Sequence, residues 1–592
     1  MPTGNQLDLE RFFPYPQMRR AQREALEFIA RHPSSILELT TGTGKTAVGY
    51  TWLKWLAEQG ASPLFYICPT KTLVDQVASL HPDVTIAYGR SEHQCLYYPE
   101  ETLRADEIPC LTLVDCPHRV NQQTGETLVS GAQPCPYYAQ KFGAKQSRIV
   151  VCTMAFYLFT QLFSKEWPTP AGLVIDEAHD IARVVRGALS YEITDYHLER
   201  ATHLLATVDQ ESARLLDGFR RRMVRQILRQ PAEKAILLQD REIESLIEDL
   251  NRLERRGLTQ TIIQAVRSGQ IDPVADRETL KALEVIVRDV QRYIHSLEFS
   301  LPTGYRQPLN YAYAYYRAEL QGQERVKCKL VIKAHYVAPI IRKILSPQTV
   351  AYSATIGNPK LFSFETGIEA PFFETGSDFP VERTRIFLPT DARNLALKKR
   401  KRGDLAKTLR QMARASRRFS EHGHRSLIIV VSEDERQRCL ELCREEGIKA
   451  VSYGNGTSAR HSAADFKEGS GDVLVGTTSH YSQGVDLPGG IAPVIFLLRP
   501  AYPRPDDPGT LFEMRRFGKS QVWSIWTWRL MNELRQARGR NIRSEDDRGV
   551  TFLMSRQYDR FAFGALPKWL EQAFRGGLTF DQCVKETISL LE

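Results

Sequence analysis

The sequence predicts an α/β protein with two doubly wound, parallel-sheet domains, the first of which carries insertions. Short apolar runs alternate with helical stretches over the first 190 residues and again after residue 425. This alternation is typical of parallel strands joined by helices. Between the two sets, over residues 190–325, apolar residues recur three and four positions apart. That spacing predicts helices rather than strands.

The individual elements follow from these patterns. The runs predicted to be buried strands are residues 36–39, 64–68, 148–152, 173–175 and 349–352 in the first domain, and residues 427–431, 472–475 and 493–498 in the second. Two helical seams are predicted in the insertion, one over residues 243–253 and one over residues 280–297. We interpret both apolar seams as core of a helical insertion rather than as binding surfaces.

The composition favours packed domains over disorder. The 592 residues are 42% hydrophobic and 25% charged, which is ordinary for a globular protein of several domains. The chain has no apolar run long enough to cross a bilayer and no signal-peptide pattern, so we expect a cytoplasmic protein without membrane contact. The ten cysteines are not expected to form disulfides, because the cytosol is reducing.

A glycine-rich loop after the first strand predicts a phosphate site. The segment Thr40-Thr41-Gly42-Thr43-Gly44-Lys45-Thr46 carries the Gly-Lys-Thr end of a P-loop, although Leu39 stands where the first glycine usually lies. The glycines allow backbone N–H groups to surround the phosphates, Lys45 would neutralise the β and γ oxygens, and the Thr46 hydroxyl would bind Mg²⁺. The alternative is a glycine-rich turn before a helix.

The tetrapeptide Asp176-Glu177-Ala178-His179 directly follows the apolar run at residues 173–175. A carboxylate at the end of a strand can hold Mg²⁺, and the next carboxylate can polarise the attacking water. We therefore predict Asp176 as the metal residue and Glu177 as the base. Ser353-Ala354-Thr355 also follows an apolar run and could couple the nucleotide state to a strand-binding groove.

The second half of the chain carries two further motifs. Gln536, Arg540 and Arg543 are spaced four and three apart, on one face of a helix. An arginine supplied across a domain cleft can neutralise the transferring phosphoryl group; the alternative is a salt-bridged surface helix. The loop over residues 476–489 has hydroxyl groups suited to phosphate contacts, and Asp486 could orient the arginine helix. Otherwise it is a simple strand-to-helix loop.

Positive charge is concentrated in one stretch of the second domain. The whole chain has a net charge of +9, whereas Arg393 to Arg425 alone contains twelve Lys and Arg against Asp404 and Glu421. A basic stripe attracts phosphate backbones without reading sequence. The alternative interpretation is a solvated helix face or loop.

Four cysteines, Cys95, Cys110, Cys116 and Cys135, lie between the P-loop and residue 176, separated by 14, 5 and 18 residues. Four thiolates can hold an iron–sulfur cubane or a tetrahedral zinc ion. The lack of a close Cys-x-x-Cys pair speaks mildly against zinc. Buried, unliganded cysteines remain an alternative, since free cysteine is commonly found in cores.

Taken in order, these motifs resemble those of superfamily 2 helicases. Arg19-Arg20-Ala21-Gln22 resembles the adenine-side glutamine motif, and the segment from Cys68 to Leu73 resembles motif Ia. Within the superfamily, the closest likeness is the XPD/DinG (Rad3-related) branch of iron–sulfur DNA helicases. It rests on Gly484-Val485-Asp486-Leu487-Pro488-Gly489, on Arg504-Pro505-Asp506-Asp507-Pro508, on the Gln-x-x-Gly-Arg-x-x-Arg spacing, and on the residues around Cys95 and Cys135.

The resemblance implies a domain layout with two RecA-like motor domains. The first motor would comprise residues 1–92, 143–189 and 326–375, interrupted by an iron–sulfur insertion at 93–142 and a helical arch at 190–325; the second would comprise residues 376–592. The implied cofactors are ATP, Mg²⁺ and a 4Fe–4S cluster held by the four cysteines. Gln22 and the P-loop residues Thr41 to Thr46 would bind ATP. Thr70, Lys71, Thr477 and Thr478 would contact DNA.

The implied activity is ATP-dependent 5′-to-3′ movement on single-stranded DNA, with strand separation at forks during repair, recombination or replication-associated processing, by a monomer. One alternative is a translocase that strips proteins or hybrids without separating strands. Another is a helicase-like ATPase subunit recruited to a CRISPR effector or other nucleoprotein complex.

Overall fold

A computed structural model describes residues 9–40, 42–98, 102–110, 112–164, 167–229, 235–302, 311–321, 325–376, 380–454, 456–481, 487, 490–504, 506–538 and 546–592. These residues form two seven-stranded sheets and a third sheet of four strands. All pairings recorded within the two larger sheets are parallel. The predicted pair of doubly wound domains is therefore confirmed.

The first domain begins with strands and helices in alternation. Its first elements are α1 (Arg20–Arg31), β1 (Ser35–Glu38), α2 (Lys45–Glu58), β2 (Leu64–Cys68), α3 (Lys71–Leu80), β3 (Thr85–Ala87), α4 (Pro136–Gln146), β4 (Ile149–Thr153), α5 (Met154–Phe159), β5 (Gly172–Asp176) and α6 (Ile181–Ala188). The described residues between β3 and α4 contain one short 3-10 turn and isolated bridges instead of regular strands. The four cysteines lie in or directly after this irregular segment.

The segment that follows α6 is helical, as predicted, but it also contains a small antiparallel sheet. Its elements are β6 (Tyr191–Thr194), α7 (Asp195–Ala206), α8 (Gln210–Leu228), β7 (Ile236–Leu237), α9 (Asp240–Glu254), α10 (Leu258–Arg267), α11 (Arg277–Glu298), β8 (Ala312–Gln321) and β9 (Arg325–Ala334). The two predicted seams lie on α9 and α11. The strands pair antiparallel in the order β6-β9-β8-β7, a sheet that the helical periodicity did not reveal.

The chain then returns to the first domain through α12 (Ala338–Arg342), β10 (Thr349–Ser353), α13 (Pro359–Thr366) and β11 (Phe372–Glu374). The completed sheet has the order β11-β1-β10-β5-β2-β4-β3. In this order β10 pairs with both β1 and β5, so that Ala351 lies opposite Ile36 on one side and Ile175 on the other. The carboxyl ends of the P-loop strand and the DEAH strand therefore lie on either side of the end of β10.

The second domain is a sheet of the same kind. Its elements are β12 (Thr384–Phe387), α14 (Asp404–Glu421), β13 (Ser426–Val430), α15 (Glu433–Glu445), β14 (Ala450–Val451), α16 (Ala459–Lys467), β15 (Val473–Thr477), α17 (Thr478–Tyr481), β16 (Val494–Leu497), α18 (Pro508–Phe517), α19 (Lys519–Arg538), β17 (Gly549–Leu553), α20 (Lys568–Glu571), β18 (Phe574–Arg575) and α21 (Phe580–Leu591). The strand order is β14-β15-β13-β16-β17-β12-β18.

Each parallel sheet is buried on both faces, which explains why its strands are continuous apolar runs rather than alternating ones. In the first domain, Tyr66 and Val174 face α1 and α2, whereas Phe65 and Ile175 face α5 and α6. The helices and small sheet of the helical insertion pack into another core, which also includes Cys95, Tyr98, Ile108 and Leu113 from the segment between β3 and α4. Among the described residues, no helix combines the length and the apolar character needed to cross a membrane.

Candidate active site

The loop between β1 and α2 has the geometry of a phosphate cradle. Gly42 and Gly44 adopt left-handed conformations, with φ of +84° and +73°, and Gly44 caps the N-terminus of α2. The buried hydroxyl of Thr43 donates to the carbonyl of Thr40 at 2.8 Å. The turn therefore presents the first backbone N–H groups of α2 towards the cleft, where an anion is stabilised. The predicted ligand Thr41 lies outside the described residues.

Gln22 lies directly beside this loop. It is buried in the first turn of α1, and its Oε1 accepts a hydrogen bond from the Arg19 N–H at 2.8 Å. Its Nε2 lies so close to Gly44 that a Cβ at that position would collide with it. The side chain of Arg19 donates to the carbonyl of Gly42. The structure thus brings Gln22 to the P-loop, where the resemblance predicts it.

Asp176 is the last residue of β5 and is almost completely buried. Burial, and secondarily the charge of Glu177, raise the pKa of Asp176 to about 7, and Lys45 opposes this rise. The hydroxyl of Tyr66 donates to Oδ2 of Asp176 at 3.3 Å. A buried carboxylate with so few compensating charges suits a cation, since Mg²⁺ would favour its ionised form.

A Mg²⁺ site here is compatible with the donors present. Mg²⁺ at nucleotide sites uses one or two protein oxygens, together with phosphates and water, rather than a full protein cage. Asp176 and the half-buried Thr46, the second residue of α2, are such oxygen donors. Among the described residues, no group of three or more His, Cys, Asp and Glu is arranged to hold a metal ion.

Glu177 is held in a strained and ionised state. It is the one described non-glycine residue with a positive φ, +48°, a conformation that costs free energy in an L-residue. Its Oε2 accepts from the Ser353 hydroxyl at 2.9 Å, and its Oε1 lies 3.5 Å from Lys45 Nζ. Burial alone would raise the pKa of Glu177, but Lys45 and His179 lower it well below its ordinary value. An ionised carboxylate is what a water-orienting base requires.

A hydrogen-bonded network connects Glu177 to the second domain. Nδ1 of His179 lies 2.7 Å from the Ser353 hydroxyl and 3.3 Å from Glu177. The side-chain amide of Gln536, on α19, contacts Nε2 of His179 and donates to Thr355 Oγ1 at 3.2 Å. The DEAH, Ser-Ala-Thr and Gln536 motifs thus meet at one place. Arg540 and Arg543 lie outside the described residues, so their predicted roles stay predictions.

Two buried ion pairs also join α19 to the first domain, and the sequence analysis missed both. Glu38, at the end of β1, pairs with Arg535 and accepts from the N–H groups of Ile356 and Gly357 at 2.9 and 2.7 Å. Glu365 pairs with Arg529 at 2.7 Å and also with Arg186 of α6. In the sequence, the only signals for such pairs are a carboxylate, Glu38, at the end of the strand before the P-loop, and an arginine, Arg535, directly before Gln536.

The predicted DNA-contacting residues have mixed surroundings. The Thr70 hydroxyl caps α3, and the half-exposed Lys71 pairs with Glu92. Thr477, the last residue of β15, is buried, and its hydroxyl bonds Tyr453 at 2.9 Å and His480 at 3.0 Å. Thr478 follows it as the half-buried first residue of α17. Asp486, predicted to orient the arginine helix, lies outside the described residues. The structure places Thr477 and Thr478 side by side where β15 meets α17, and it does not test their contact with DNA.

The four candidate cluster cysteines lie in one neighbourhood. Cys95 is buried and the other three are half-buried. Backbone N–H groups point at three sulfurs: Tyr97 N donates to Cys95 Sγ at 3.4 Å, and similar bonds reach Cys116 and Cys135. Burial raises the pKa of each of these three thiols, and the neighbouring cysteines add to the rise. Without a cation the thiols are therefore neutral.

These residues fit an iron–sulfur cluster in chemistry but not yet in geometry. Cluster ligands are usually thiols that accept hydrogen bonds from N–H groups, as three of these four do, and the guanidinium of Arg119 approaches the Cys110 carbonyl at 3.0 Å. The described residues nevertheless contain no group arranged to hold a metal. Metal binding and ligand deprotonation are coupled to local folding, so the four thiols would have to draw together around a cluster.

The cysteine-bearing insertion rests on the helical one. The N–H and hydroxyl of Thr112 both donate to Glu284 on α11, at 2.7 and 3.1 Å. The Tyr98 hydroxyl donates to the Pro273 carbonyl at 2.7 Å, and Lys281 donates to the Ile108 carbonyl at 3.1 Å. Cys95 and Tyr98 belong to the same apolar core as α8 and α9. The two insertions of the first domain therefore form one packed unit.

Two protein families match separate parts of the chain. Residues 409–573 match the family described as "Helicase C-terminal domain", which covers most of the second parallel-sheet domain. Residues 15–204 match the family described as "Type III restriction enzyme, res subunit", which includes the P-loop and the DEAH motif.

Solved structures of XPD proteins share the overall fold. An XPD helicase has a TM-score of 0.61 at 15% identity, with 92% of this chain and 97% of that chain covered. XPD in its apo form has a TM-score of 0.57 at 12% identity over 91% and 96% of the two chains. S. tokodaii Xpd4 has a TM-score of 0.56 at 15% identity over 94% and 99%.

The predicted resemblance to the XPD/DinG branch is thereby confirmed at the level of architecture. The two parallel-sheet domains are RecA-like, and the family matches at residues 15–204 and 409–573 fall on the first and the second of them respectively. At these identities, the structural likeness establishes the fold and leaves substrate, direction of movement and pathway to experiment.

Proposed function

We propose that this protein is an ATP-driven DNA helicase that moves 5′ to 3′ on single-stranded DNA and separates strands at forks. The observation that carries the proposal is the network from Glu177 through Ser353 and His179 to Gln536. It connects the ionised carboxylate of one RecA-like domain with a helix of the other. Nucleotide chemistry and relative movement of the two domains are thus linked by direct contacts.

In this proposal each residue of the cleft has one task. The P-loop amides and Lys45 would hold the β and γ phosphates, and Asp176 and Thr46 would hold Mg²⁺, which would supply positive charge beside the phosphates. Lys45 lies 3.5 Å from Glu177 and would exchange this partner for phosphate when ATP binds. Glu177 would then orient the attacking water, and we assign Arg540 and Arg543 to stabilising the transferring group.

Movement follows from the contacts around the end of β10. Glu38 accepts hydrogen bonds from Ile356 and Gly357, just after the Ser-Ala-Thr motif, and pairs with Arg535 of the second domain. Closure around ATP would tighten this contact, and product release would loosen it. The loops carrying Thr70, Lys71, Thr477 and Thr478 would hold the strand while one domain advances. The 5′-to-3′ direction is supported by the resemblance to the XPD/DinG branch.

We further propose that Cys95, Cys110, Cys116 and Cys135 hold a 4Fe–4S cluster in the insertion between β3 and α4, within the domain boundaries given above. The cluster would cross-link an irregular segment that has few regular hydrogen bonds of its own. The insertion packs on α11 through Thr112 and Glu284, so a rigid insertion would also support the helical one beside the DNA path.

Strand displacement tests the proposal. Duplexes with a 5′ tail or a 3′ tail are offered to the purified protein with ATP and Mg²⁺, and displaced strand is measured. We expect displacement from the 5′-tailed duplex only. Displacement from the 3′-tailed duplex alone would overturn the direction. Movement without displacement of either duplex, with DNA-stimulated ATP hydrolysis, would instead support a translocase or a subunit of a nucleoprotein complex.

A further inference from the structure

The basic stripe of the second domain divides into two parts with different surroundings. The first part is the run Lys398-Lys399-Arg400-Lys401-Arg402, directly before α14, and all five side chains are exposed. The second part is the row of arginines on α14 itself. The sequence shows both as one stretch of positive charge, and the structure shows which of these charges are already compensated.

The arginines of α14 are engaged within the protein. Arg410 pairs with Glu445, Arg414 pairs with Glu446 at 3.0 Å, and Arg417 pairs with Glu421 at 3.2 Å. The ion pairs recorded for the described residues include none made by Lys398 to Arg402. Five adjacent like charges without counter-ions repel one another. A polyanion bound to the turn would relieve this repulsion. The arginines of α14 already have carboxylate partners, so they would gain less from such binding.

The run of cations is displayed on an ordered turn. Leu395 is buried beneath it, and its N–H donates to the Ser555 hydroxyl at 3.3 Å. The N–H groups of Lys399 and Arg400 both donate to the Ala396 carbonyl, at 2.8 and 2.9 Å. At the other end, the Lys401 N–H donates to Asp404 at 2.7 Å. The backbone is therefore held on both sides, and the charged side chains project outward.

The turn lies at the same edge of the sheet as the predicted strand-contacting loop. Strand β12 runs parallel to β17, and the chain continues past both strand ends, where Arg393 still bridges Ser555. The turn therefore follows the carboxyl end of β12, whereas Thr477 is the last residue of β15 and Thr478 comes directly after it. The two strands are four places apart in the sheet, or about 19 Å at the usual strand spacing of about 4.8 Å.

We propose that Lys398 to Arg402 bind the phosphate backbone of the DNA strand beyond the part held by Thr477 and Thr478, so that the bound strand extends along the second domain. This rests on the proposed function, because the strand must first be bound at those residues. The contact is independent of base sequence, since exposed lysine and arginine side chains neutralise phosphates and release counter-ions. The arginines of α14 take no part in it.

The test compares two variants with the same change of charge. The triple variant Lys399→Gln/Arg400→Gln/Lys401→Gln removes three charges from the turn, and Arg410→Gln/Arg414→Gln/Arg417→Gln removes three from α14. Affinity for oligothymidylates of increasing length is measured over a range of salt concentrations. We expect the turn variant to lower the slope of log K against log salt by about 0.7 for each lost contact, and only with the longer oligonucleotides. The α14 variant should bind like wild type.

The outcomes separate the inference from the proposed function. Equal slopes for wild type and the turn variant at every length would overturn the inference and leave the helicase proposal intact. Equal losses in both variants would also overturn it, because a general charge effect would then explain the binding. If the wild-type protein binds no DNA, the proposed function itself is wrong. Thermal unfolding of both variants identifies any loss caused by misfolding.

Discussion

The nucleotide cleft and the cysteine insertion were both predicted from spaced sequence motifs, but they differ in whether the predicted residues contact one another in the structure. In the cleft, the predicted residues contact one another: Lys45 faces Glu177, and Gln536 reaches His179. In the insertion, the four thiols share a neighbourhood without forming a group that could hold a metal. One set of residues is organised by the protein alone, and the other is not.

The difference shows when a sequence motif is enough to fix the positions of its side chains. Gly44 and Lys45 lie at the start of α2, in the turn that follows β1, and Asp176 ends β5, so parallel pairing through β10 fixes their separation. The cysteines lie on an irregular segment whose recorded bridges are isolated ones. Thiols on such a segment depend on a bound metal to fix their positions. The predictions below test whether the two regions are as independent as this contrast implies.

The largest effect is expected from Lys45→Ala in the cleft. Loss of the main cation for the β and γ phosphates should lower ATP turnover by roughly a hundredfold or more, the scale seen when one electrostatic stabiliser is removed. Steady-state ATPase assays with and without DNA measure it. Lys54→Ala is the matched control, because Lys54 lies on the same helix and pairs with Asp83 away from the P-loop. Wild-type turnover in Lys45→Ala would refute the assignment of the cleft.

A similar loss, confined to the chemical step, is expected from Glu177→Gln. The substitution removes the ionised carboxylate but retains the side-chain length, so ATP should still bind while hydrolysis falls by about two orders of magnitude. Binding of a fluorescent ATP analogue and single-turnover hydrolysis separate the two steps. Equal losses in both steps would show that Glu177 serves binding rather than water activation.

On the other side of the comparison, Cys116→Ser should remove the proposed cluster. The anaerobically purified wild type is expected to be brown, with about four iron atoms per chain, whereas the variant should lose its visible absorption and its unwinding. Basal ATP hydrolysis should persist, because no cysteine of the set touches the P-loop residues described. Cys583→Ser, at a buried cysteine of the second domain, is the control.

A colourless, iron-free wild type that still unwinds DNA would eliminate the cluster and leave the cleft assignment untouched. The reverse cross-check sharpens the comparison: Lys45→Ala should retain full absorption and iron. If either variant damaged both regions, the two would be coupled more tightly than the contacts suggest.

A smaller effect is expected from Arg535→Met, which removes the ion pair between Arg535 of the second domain and Glu38 of the first. Arg535→Met leaves the buried carboxylate of Glu38 with its backbone donors only. Hydrogen bonds to charged groups contribute about 1.5–3 kcal/mol, so the free energy favouring the closed arrangement should fall by about 2 kcal/mol. The apparent ATP affinity reports this change. The double variant Glu38→Gln/Arg535→Met should recover part of the lost ATP affinity. Equal ATP affinities in the wild type, the single variant and the double variant would contradict the role of the pair.

The smallest effect concerns acid stability at Glu365. Burial alone would raise the pKa of Glu365, but Arg186 and Arg529 together hold it below its ordinary value. A depressed pKa stabilises the folded protein above the pKa of the unfolded chain, and this contribution is lost as the pH falls. Arg529→Met should therefore move the acid limb of thermal stability to higher pH. An unchanged acid limb would show that Arg186 alone compensates Glu365.

Local pattern accounted for most of the fold. The strand at residues 64–68 was predicted with its observed bounds, and the seven other predicted strands lie within a residue or two of the observed ones, because buried parallel strands are continuous apolar runs. Strands β3, β11, β12, β14, β17 and β18 of the two parallel sheets were not predicted. The small antiparallel sheet within the helical insertion was missed: β8 and β9 are neighbours along the chain and pair directly, but β6 joins β9 from more than 130 positions away and β7 is two residues long. The candidate P-loop and DEAH residues were identified because both follow strands directly.

The sequence by itself therefore determined the elements and the motifs: strands, seams, the P-loop, the DEAH tetrapeptide and the stretch of positive charge. Only the tertiary structure decided which side chains meet. Arg535 finds Glu38 across 497 positions, and Gln536 finds His179 across 357; no periodicity spans such distances. The same holds for charge, because α14 and the turn before it look alike as sequence, and only packing against Glu445 and Glu446 compensates one and leaves the other exposed.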